Sequence, residues 1–141
     1  MDTDIIVIGA SPAGIMAARN ASQKGANVIL IDSKKELGHP PHPANTFFKG
    51  MFDKAGEKVY QKYVIHNLKG MPIVAPGGDE IVLETPGYFL DRTKFDEHYA
   101  KKIKKAGVDI RTGVESYNVL KTGDTFSVST SDGMIRSKIV I

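Results

Sequence analysis

Two short apolar runs near the start of the chain predict strands of a parallel sheet. Ile5–Ile8 is an uninterrupted β-branched run, and residues 27–32 form a second run that ends in an acid. Runs without polar alternation are typical of strands that are buried on both faces. Between them, residues 12–24 have a helical pattern, with proline in the first turn and Gly25 just past the end. This order predicts a βαβ unit.

The pattern changes after this unit. A loop over residues 33–43 is rich in glycine and proline, and a short helix is predicted over residues 45–54. The segment Pro76-Gly77-Gly78-Asp79 is a turn signal between two apolar runs, which predicts a hairpin. The strands predicted in this region are residues 71–75, 80–84 and 88–90.

The second half of the chain contains one more helix and a run of strands. Thr93-Lys94-Phe95-Asp96 resembles a capping box, and apolar residues recur on one face of the helix that it opens. Gly107 ends this helix, and residues 108–111 return to a strand. Glycine-containing turns then separate three further runs, which predicts a β-meander. Its strands are predicted over residues 116–121, 125–130 and 134–141.

Composition narrows the possible partners. A chain of 141 residues with 41% hydrophobic content has the length of one domain and can bury a core. The net charge of +3 is spread along the chain. The densest basic run, at residues 101–105, has the spacing of a solvated helix face, so no nucleic-acid partner is expected.

The chain contains no cysteine, which excludes disulfides and thiolate chemistry. His39 and His42 are only two ligands in a loop, so no metal site is expected. No apolar run approaches the ~20 residues that cross a bilayer. The acidic N-terminus is unlike a secretory signal. We therefore expect a cytoplasmic protein, with peripheral contact to a membrane left open.

The segment Gly9-Ala10-Ser11-Pro12-Ala13-Gly14 lies between the first predicted strand and helix, where a dinucleotide fingerprint is found. Unpaired N–H groups and the positive end of the helix dipole bind a pyrophosphate there without a cationic side chain. Gly9 makes the tight turn, and Gly14 lets the helix lie close to the strand. Ser11 replaces the middle glycine, and its hydroxyl can donate to a phosphate.

Asp32 ends the second predicted strand, where a carboxylate accepts hydrogen bonds from both ribose hydroxyls and repels a 2′-phosphate. FAD and NAD satisfy this requirement, and NADP does not. A nicotinamide dehydrogenase would continue with βαβ units after Asp32. This chain continues with a loop, a hairpin and a meander, which favours FAD.

Three segments in order, GASPAG, VILIDSKKELGHP and GYFLDRTKFDEHYAKKIKKAG, resemble the geranylgeranyl reductase family of FAD-dependent oxidoreductases. The resemblance implies an α/β fold: a Rossmann-like βαβ FAD-binding domain of the glutathione-reductase type with a hairpin insertion and a β-meander. It implies one FAD/NAD(P)-binding domain over residues 1–141, truncated before the family's second FAD-contacting segment.

The resemblance also implies roles for residues at both ends of the cofactor. Gly9, Ser11, Ala13 and Gly14 match the pyrophosphate turn, and Asp32 matches the ribose acid. Three residues match the family's loop along the flavin side: Pro43, Ala44 and Thr46. Pro43 stands where family members usually carry a cysteine.

Two more positions match the family's cofactor contacts. Arg92 matches the arginine that opens the helix beside the cofactor, where it neutralises a phosphate; the alternative is pairing with a carboxylate such as Asp96. Ser116 begins the meander where the family's backbone passes the adenine.

The activity implied by the resemblance is transfer of hydride from reduced FAD to isoprenoid C=C bonds. The substrate is then an isoprenoid or lipid-like small molecule, and an external electron donor reduces the flavin. No residue of this chain is identified as the catalytic acid. The alternative is a nucleotide-binding module without chemistry of its own, or a split-enzyme subunit that a partner chain completes.

Overall fold

The computed structural model describes all 141 residues as a mixed α/β chain. The residues divide into two compact units. The first unit comprises Met1–Pro40 and Asp96–Ile141, and the second comprises Pro41–Phe95.

A four-stranded parallel sheet is the centre of the first unit, and it confirms the predicted βαβ unit. The sheet has the order β12-β1-β2-β8, in which Ile5 of β1 is level with Val28 of β2 and Ile139 of β12. The first four residues of β2 are all buried, as its apolar run predicts, because a central strand is covered on both faces. The strands are β1 (Ile5–Ile8), β2 (Val28–Asp32), β8 (Asp109–Thr112) and β12 (Ile139–Val140).

Helix α1 (Pro12–Gln23) connects β1 to β2 and packs through a narrow face of small and aliphatic side chains. Ile15 and Ala18 are fully buried on this face. The chain leaves the helix through Gly25, which has a φ of 89° that L side chains rarely adopt. The predicted helix boundaries are therefore confirmed to within one residue.

The predicted β-meander is a three-stranded antiparallel sheet in the first unit. Its strands follow the order β11-β10-β9. The prediction of one final strand over residues 134–141 is wrong, because the chain leaves the meander after Ser137 and then joins the parallel sheet. The meander strands are β9 (Ser116–Thr122), β10 (Thr125–Thr130) and β11 (Gly133–Ser137).

Buried aliphatic side chains join the parallel sheet and the meander into one core. They come from β1, β2, β10 and β11 and from the segment that precedes β9. The cluster consists of Ile6, Ile29, Ile31, Val114, Val128 and Ile135.

A second three-stranded sheet, of order β3-β7-β4, is the centre of the second unit. An aromatic cluster packs with it, in which the rings of Phe47, Phe52, Tyr63 and Phe95 lie 5.2–6.2 Å apart. The elements are β3 (Thr46–Phe48), α2 (Lys49–Ala55), a 3-10 turn (Gln61–Tyr63), β4 (Val64–Leu68) and β7 (Gly87–Leu90).

The helix predicted over residues 45–54 begins only at Lys49. Its first part is instead strand β3, because Thr46–Phe48 pair antiparallel with β7. Strand β4 was also not predicted. Its sequence, VIHNL, does not alternate apolar and polar residues, and pairing with β7 determines its conformation.

The predicted hairpin is formed by β5 (Met71–Val74) and β6 (Glu80–Leu83), with Ala75 and Asp79 closing the turn. Every residue of both strands is exposed. None of the helices is both long and apolar enough to span a membrane.

Helix α3 (Arg92–Lys105) has the apolar face that was predicted, with Phe95, Tyr99 and Ile103 buried. The predicted capping box at Thr93 is wrong. Asp91 caps the helix instead, because its carboxylate accepts a hydrogen bond from the Lys94 amide at 3.1 Å.

Candidate functional site

The turn between β1 and α1 depends on two glycines. Gly9 has a φ of 101°, and its N–H donates to the Ile31 carbonyl at 2.8 Å, which holds the end of β1 against β2. A Cβ at Gly14 would collide with the Gly9 carbonyl oxygen and would lie 3.3 Å from Val7 Cγ1. The sequence therefore lets the helix start directly over the strand end, as the fingerprint predicts.

Some backbone amides of this turn donate to acceptors in the protein, and others have no acceptor there. The Gly14 amide donates to Ser11 Oγ at 3.3 Å, so Ser11 is the N-cap of α1. The amides of Ser11 and Ala13 donate to no acceptor in the protein. Pro12 has no N–H and occupies the first helical position. The helix start therefore presents two N–H groups and its positive dipole end to an anion.

Asp32, at the end of β2, is linked to the same turn. Its Oδ2 accepts from the Ala10 amide at 2.7 Å, and its Oδ1 accepts from the Lys34 amide at 2.8 Å. A carboxylate oxygen has two acceptor sites, so each oxygen retains capacity for a further donor. Asp32 is therefore held in one orientation and can still receive two hydroxyl groups.

A cavity of about 240 Å³ lies where β1 and β2 end. It brings together three of the predicted site residues, Gly9, Asp32 and Ser116, which are remote in sequence. Ser11, Ala13 and Gly14 lie on the adjoining turn and the first helical turn. The full set of lining residues is Ile8, Gly9, Ile31, Asp32, Ser33, Val114, Glu115 and Ser116.

Sequence reasoning missed one wall of this cavity. The segment Val114–Glu115 forms one wall, because the Val114 amide donates to the Asp32 carbonyl at 3.0 Å. Two reciprocal bonds also hold this segment: the Ser131 amide donates to the Glu115 carbonyl, and the Glu115 amide donates to Ser131 Oγ. Only the position of Ser116, directly after this segment, indicated it.

The remaining predicted site residues, Pro43, Ala44, Thr46 and Arg92, all belong to the second unit. Arg92 is buried, and its Nη1 donates to the Ala44 carbonyl at 2.6 Å. Its guanidinium also lies 5.5 Å from the centroid of the Phe47 ring. Arg92 thus anchors the loop that carries Pro43 and Ala44. Its predicted contact with a phosphate stays a prediction.

The loop before Ala44 contains both histidines that sequence analysis considered as metal ligands. His42 Nδ1 accepts a hydrogen bond from the Ala44 amide at 3.1 Å, which folds the loop on itself. No group of three or more His, Cys, Asp or Glu residues is arranged to hold a metal ion.

Comparisons with known proteins show what this chain is similar to. The family model described as FAD dependent oxidoreductase matches residues 4–40, which include the glycine turn and Asp32. Digeranylgeranylglycerophospholipid reductase 2 of Methanosphaera stadtmanae is 34% identical over an alignment 152 positions long. That alignment covers 100% of this chain and 39% of the reductase. A digeranylgeranylglycerophospholipid reductase of Thermoplasma acidophilum is 31% identical, with 84% of this chain and 32% of that protein covered.

Solved structures give the same relationship. The crystal structure of a geranylgeranyl bacteriochlorophyll reductase-like protein from Thermoplasma acidophilum has a TM-score of 0.84 and 27% identity. It matches 98% of this chain, which spans 38% of that protein. The halogenase PltM in complex with phloroglucinol and FAD has a TM-score of 0.69 at 17% identity, which shows a shared fold. The family's cofactor is FAD. Over all 141 residues, this chain is therefore similar to geranylgeranyl reductases, which are FAD-dependent oxidoreductases, and it spans only part of their length.

Proposed function

We propose that this chain is the FAD-binding part of an oxidoreductase that reduces C=C bonds of isoprenoid lipids, built on a Rossmann-like domain of the glutathione-reductase type. One observation carries the dinucleotide site: the Asp32 carboxylate and the glycine turn meet at one cavity, joined by the Ala10 amide. The match of residues 4–40 to FAD-dependent oxidoreductases supports FAD as the dinucleotide. The substrate class is supported by relatives named as digeranylgeranylglycerophospholipid reductases.

The turn residues would hold the pyrophosphate of FAD. The amides of Ser11 and Ala13 and the dipole of α1 supply positive potential, so no lysine or arginine is needed. The Ser11 hydroxyl accepts from the Gly14 amide and can still donate its own proton to a phosphate oxygen. Gly9 makes the tight turn and Gly14 lets α1 start close to β1, which directs the free N–H groups toward the phosphates.

Asp32 would accept hydrogen bonds from both ribose hydroxyls, and the Val114–Ser116 segment would form the wall beside the adenine. In the second unit, Pro43, Ala44 and Thr46 would lie along the flavin side, in a loop that Arg92 anchors. A phosphate contact of Arg92 remains part of this proposal.

When bound, FAD supplies the two-electron chemistry: a hydride goes to one alkene carbon, a proton reaches the other, and an external donor restores the reduced flavin. This chain's share is to bind and orient the cofactor. None of its residues is assigned as the proton donor.

The reaction is proposed for a protein of the relatives' length, since this chain spans 39% of the Methanosphaera stadtmanae reductase. We propose that the 141 residues form one FAD-binding domain. Completion by a partner chain, as in a split enzyme, is the second candidate. This candidate requires that the isolated chain alone yields no saturated lipid.

A chimera tests the proposed function. The matching stretch of the Methanosphaera stadtmanae reductase is replaced by this chain, and the purified protein is loaded with FAD, reduced with dithionite and given a geranylgeranyl lipid. We expect mass spectrometry to show a gain of two hydrogens per reduced double bond, as with the unmodified reductase. A chimera that retains stoichiometric FAD and leaves the lipid unsaturated would contradict the proposed activity.

A further inference from the structure

An apolar groove of about 490 Å³ lies in the second unit, between helix α2 and the base of the β5–β6 hairpin. Phe48 and Met51 line one side, and Met71 and Leu83 line the other. Met51, Met71 and Leu83 are 55%, 38% and 43% exposed. The groove thus presents flexible and aliphatic side chains to solvent.

The apolar surface continues from the groove along the hairpin. Met71 pairs with Leu83, and two residues further Ile73 pairs with Ile81. Residues two apart on a strand share a face, so both pairs lie on the same side of the ribbon. Ile73 and Ile81 are 49% and 66% exposed. Together the four side chains extend the groove into a continuous apolar track.

Charge at the groove argues for an uncharged ligand. Lys54 and Glu84 are the charged lining residues, one of each sign. Their opposite charges do not favour an anion or a cation, and the rest of the lining offers no clamp for a polar head. A long hydrocarbon chain matches this surface, because its burial removes apolar area of both partners from water.

A bilayer is a poorer match for the same face. The turn at the tip of the hairpin is followed by Asp79 and Glu80, which are both exposed. An anionic tip is repelled by the negative surface potential of a membrane leaflet, and neither residue can enter hydrocarbon without cost.

We infer that this track, formed by Phe48, Met51, Met71, Leu83, Ile73 and Ile81, binds the hydrocarbon chain of an isoprenoid lipid. The inference rests on the proposed function for the class of chain and adds a location for it. The two methionines suit a branched chain, since their unbranched thioethers adapt to irregular shapes.

Methionine methyl groups provide the test, because the chain has five methionines and two of them line the groove. The protein is labelled with 13C at the methionine methyls, saturated with FAD and titrated with geranylgeraniol. We expect the Met51 and Met71 signals to shift together along one binding curve. Met134, in the first unit, is 57% exposed and serves as the internal control, with no shift expected.

Two variants at equally exposed positions distinguish binding in the groove from non-specific association of the lipid with exposed apolar residues. Met51→Asp places a carboxylate in the track and is expected to weaken binding by roughly tenfold or more, since the charge must be desolvated. Met134→Asp changes an equally exposed site and is expected to leave the titration unchanged. Both positions are exposed, so both variants retain the fold, which the unchanged methyl signals elsewhere verify.

The inference is overturned by three results: no shift at Met51 and Met71, an equal shift at Met134, or an equal response to unbranched octadecanol. Shifts of the Met51 and Met71 signals that depend on protein concentration without lipid would assign the track to a second copy and also overturn it. FAD fluorescence quenching in the same samples reports the cofactor separately. Lost quenching would count against the proposed function, and retained quenching without methyl shifts would count against the lipid track alone.

Discussion

At the residue scale, the candidate site is organised by Asp32. The Oδ2–Ala10 and Oδ1–Lys34 hydrogen bonds fix the carboxylate on the end of β2 and also fix the turn that follows β1. One side chain therefore couples the proposed ribose position to the proposed pyrophosphate position. An asparagine could accept only one of the two backbone bonds, because its amide nitrogen is a donor.

Substitution of Gly14 tests the close approach of helix α1 to the preceding turn. Gly14→Ala places a methyl group against the Gly9 carbonyl oxygen, so α1 or the turn must move. We expect a loss of about 1–3 kcal/mol in the free energy of unfolding, typical of overpacking. FAD affinity should also fall, as measured by flavin fluorescence quenching.

The matched control is Gly50→Ala. Gly50 is also a helical glycine, and a Cβ there meets nothing within 4 Å. Alanine has the higher helix propensity, by up to about 1 kcal/mol. The control should keep or gain stability and bind FAD normally. Equal effects of the two substitutions would contradict the close approach of the Gly9–Gly14 turn.

At the element scale, the start of α3 depends on Asp91. Hydrogen bonding from the Lys94 amide holds the pKa of Asp91 below its ordinary value, although burial acts in the opposite direction. The Lys94 ammonium, 3.0 Å from the carboxylate, acts in the same direction as the amide. The folded protein therefore binds this proton more weakly than the unfolded chain does.

The stabilisation from Asp91 is present above the unfolded pKa of about 3.9 and is lost as the pH falls through the lower folded pKa. Asp91→Ala should cost about 1 kcal/mol at pH 7, the usual value of an N-cap. Urea unfolding should show this difference shrinking at acid pH. Asp91→Asn keeps a capping oxygen and should show less pH dependence. A difference between wild type and Asp91→Ala that stays constant down to pH 2–3 would contradict the role of the charge.

Sequence patterns predicted the elements whose signals are local. The run Ile5–Ile8, the helix that ends before Gly25 and the hairpin around Gly77-Gly78 all follow from spacing and turn residues. Strands β3 and β4 could not be predicted, because each is specified by pairing with β7 and not by its own pattern. The capping box at Thr93 failed for a simpler reason: Asp91, two residues earlier, is also a capping residue.

The candidate site was predictable to a similar degree. Its glycines and Asp32 follow a known spacing, so the meeting of the glycine turn and Asp32 at the ends of β1 and β2 was expected. The Val114–Glu115 wall was not, because backbone groups that line a cavity leave no signature in side-chain type. The anchoring of Ala44 by Arg92 likewise needs the fold, since the two residues are far apart in sequence.

At the scale of the whole molecule, the two units carry different parts of the proposal. The first unit contains the glycine turn, the proposed ribose acid and the proposed adenine wall, and the second contains the proposed flavin-side loop and the apolar track. The chain spans 38% of the Thermoplasma acidophilum protein that shares its fold. Cofactor binding can therefore be tested on these residues alone, whereas lipid reduction is tested in a protein of the relatives' length.

The central claim is that the glycine turn and Asp32 bind the adenosine diphosphate half of FAD. Calorimetric titration of the 141-residue chain with FAD and with NADP tests it most directly, with Asp32→Ala and the exposed-turn variant Asp124→Ala as a matched pair. We predict that FAD binds more tightly than NADP, because the carboxylate repels a 2′-phosphate. Asp32→Ala should lose roughly 1.5–3 kcal/mol of FAD binding, typical of charge-assisted hydrogen bonds, and Asp124→Ala should lose none. Tighter binding of NADP than of FAD, or unchanged FAD binding in Asp32→Ala, would contradict the account.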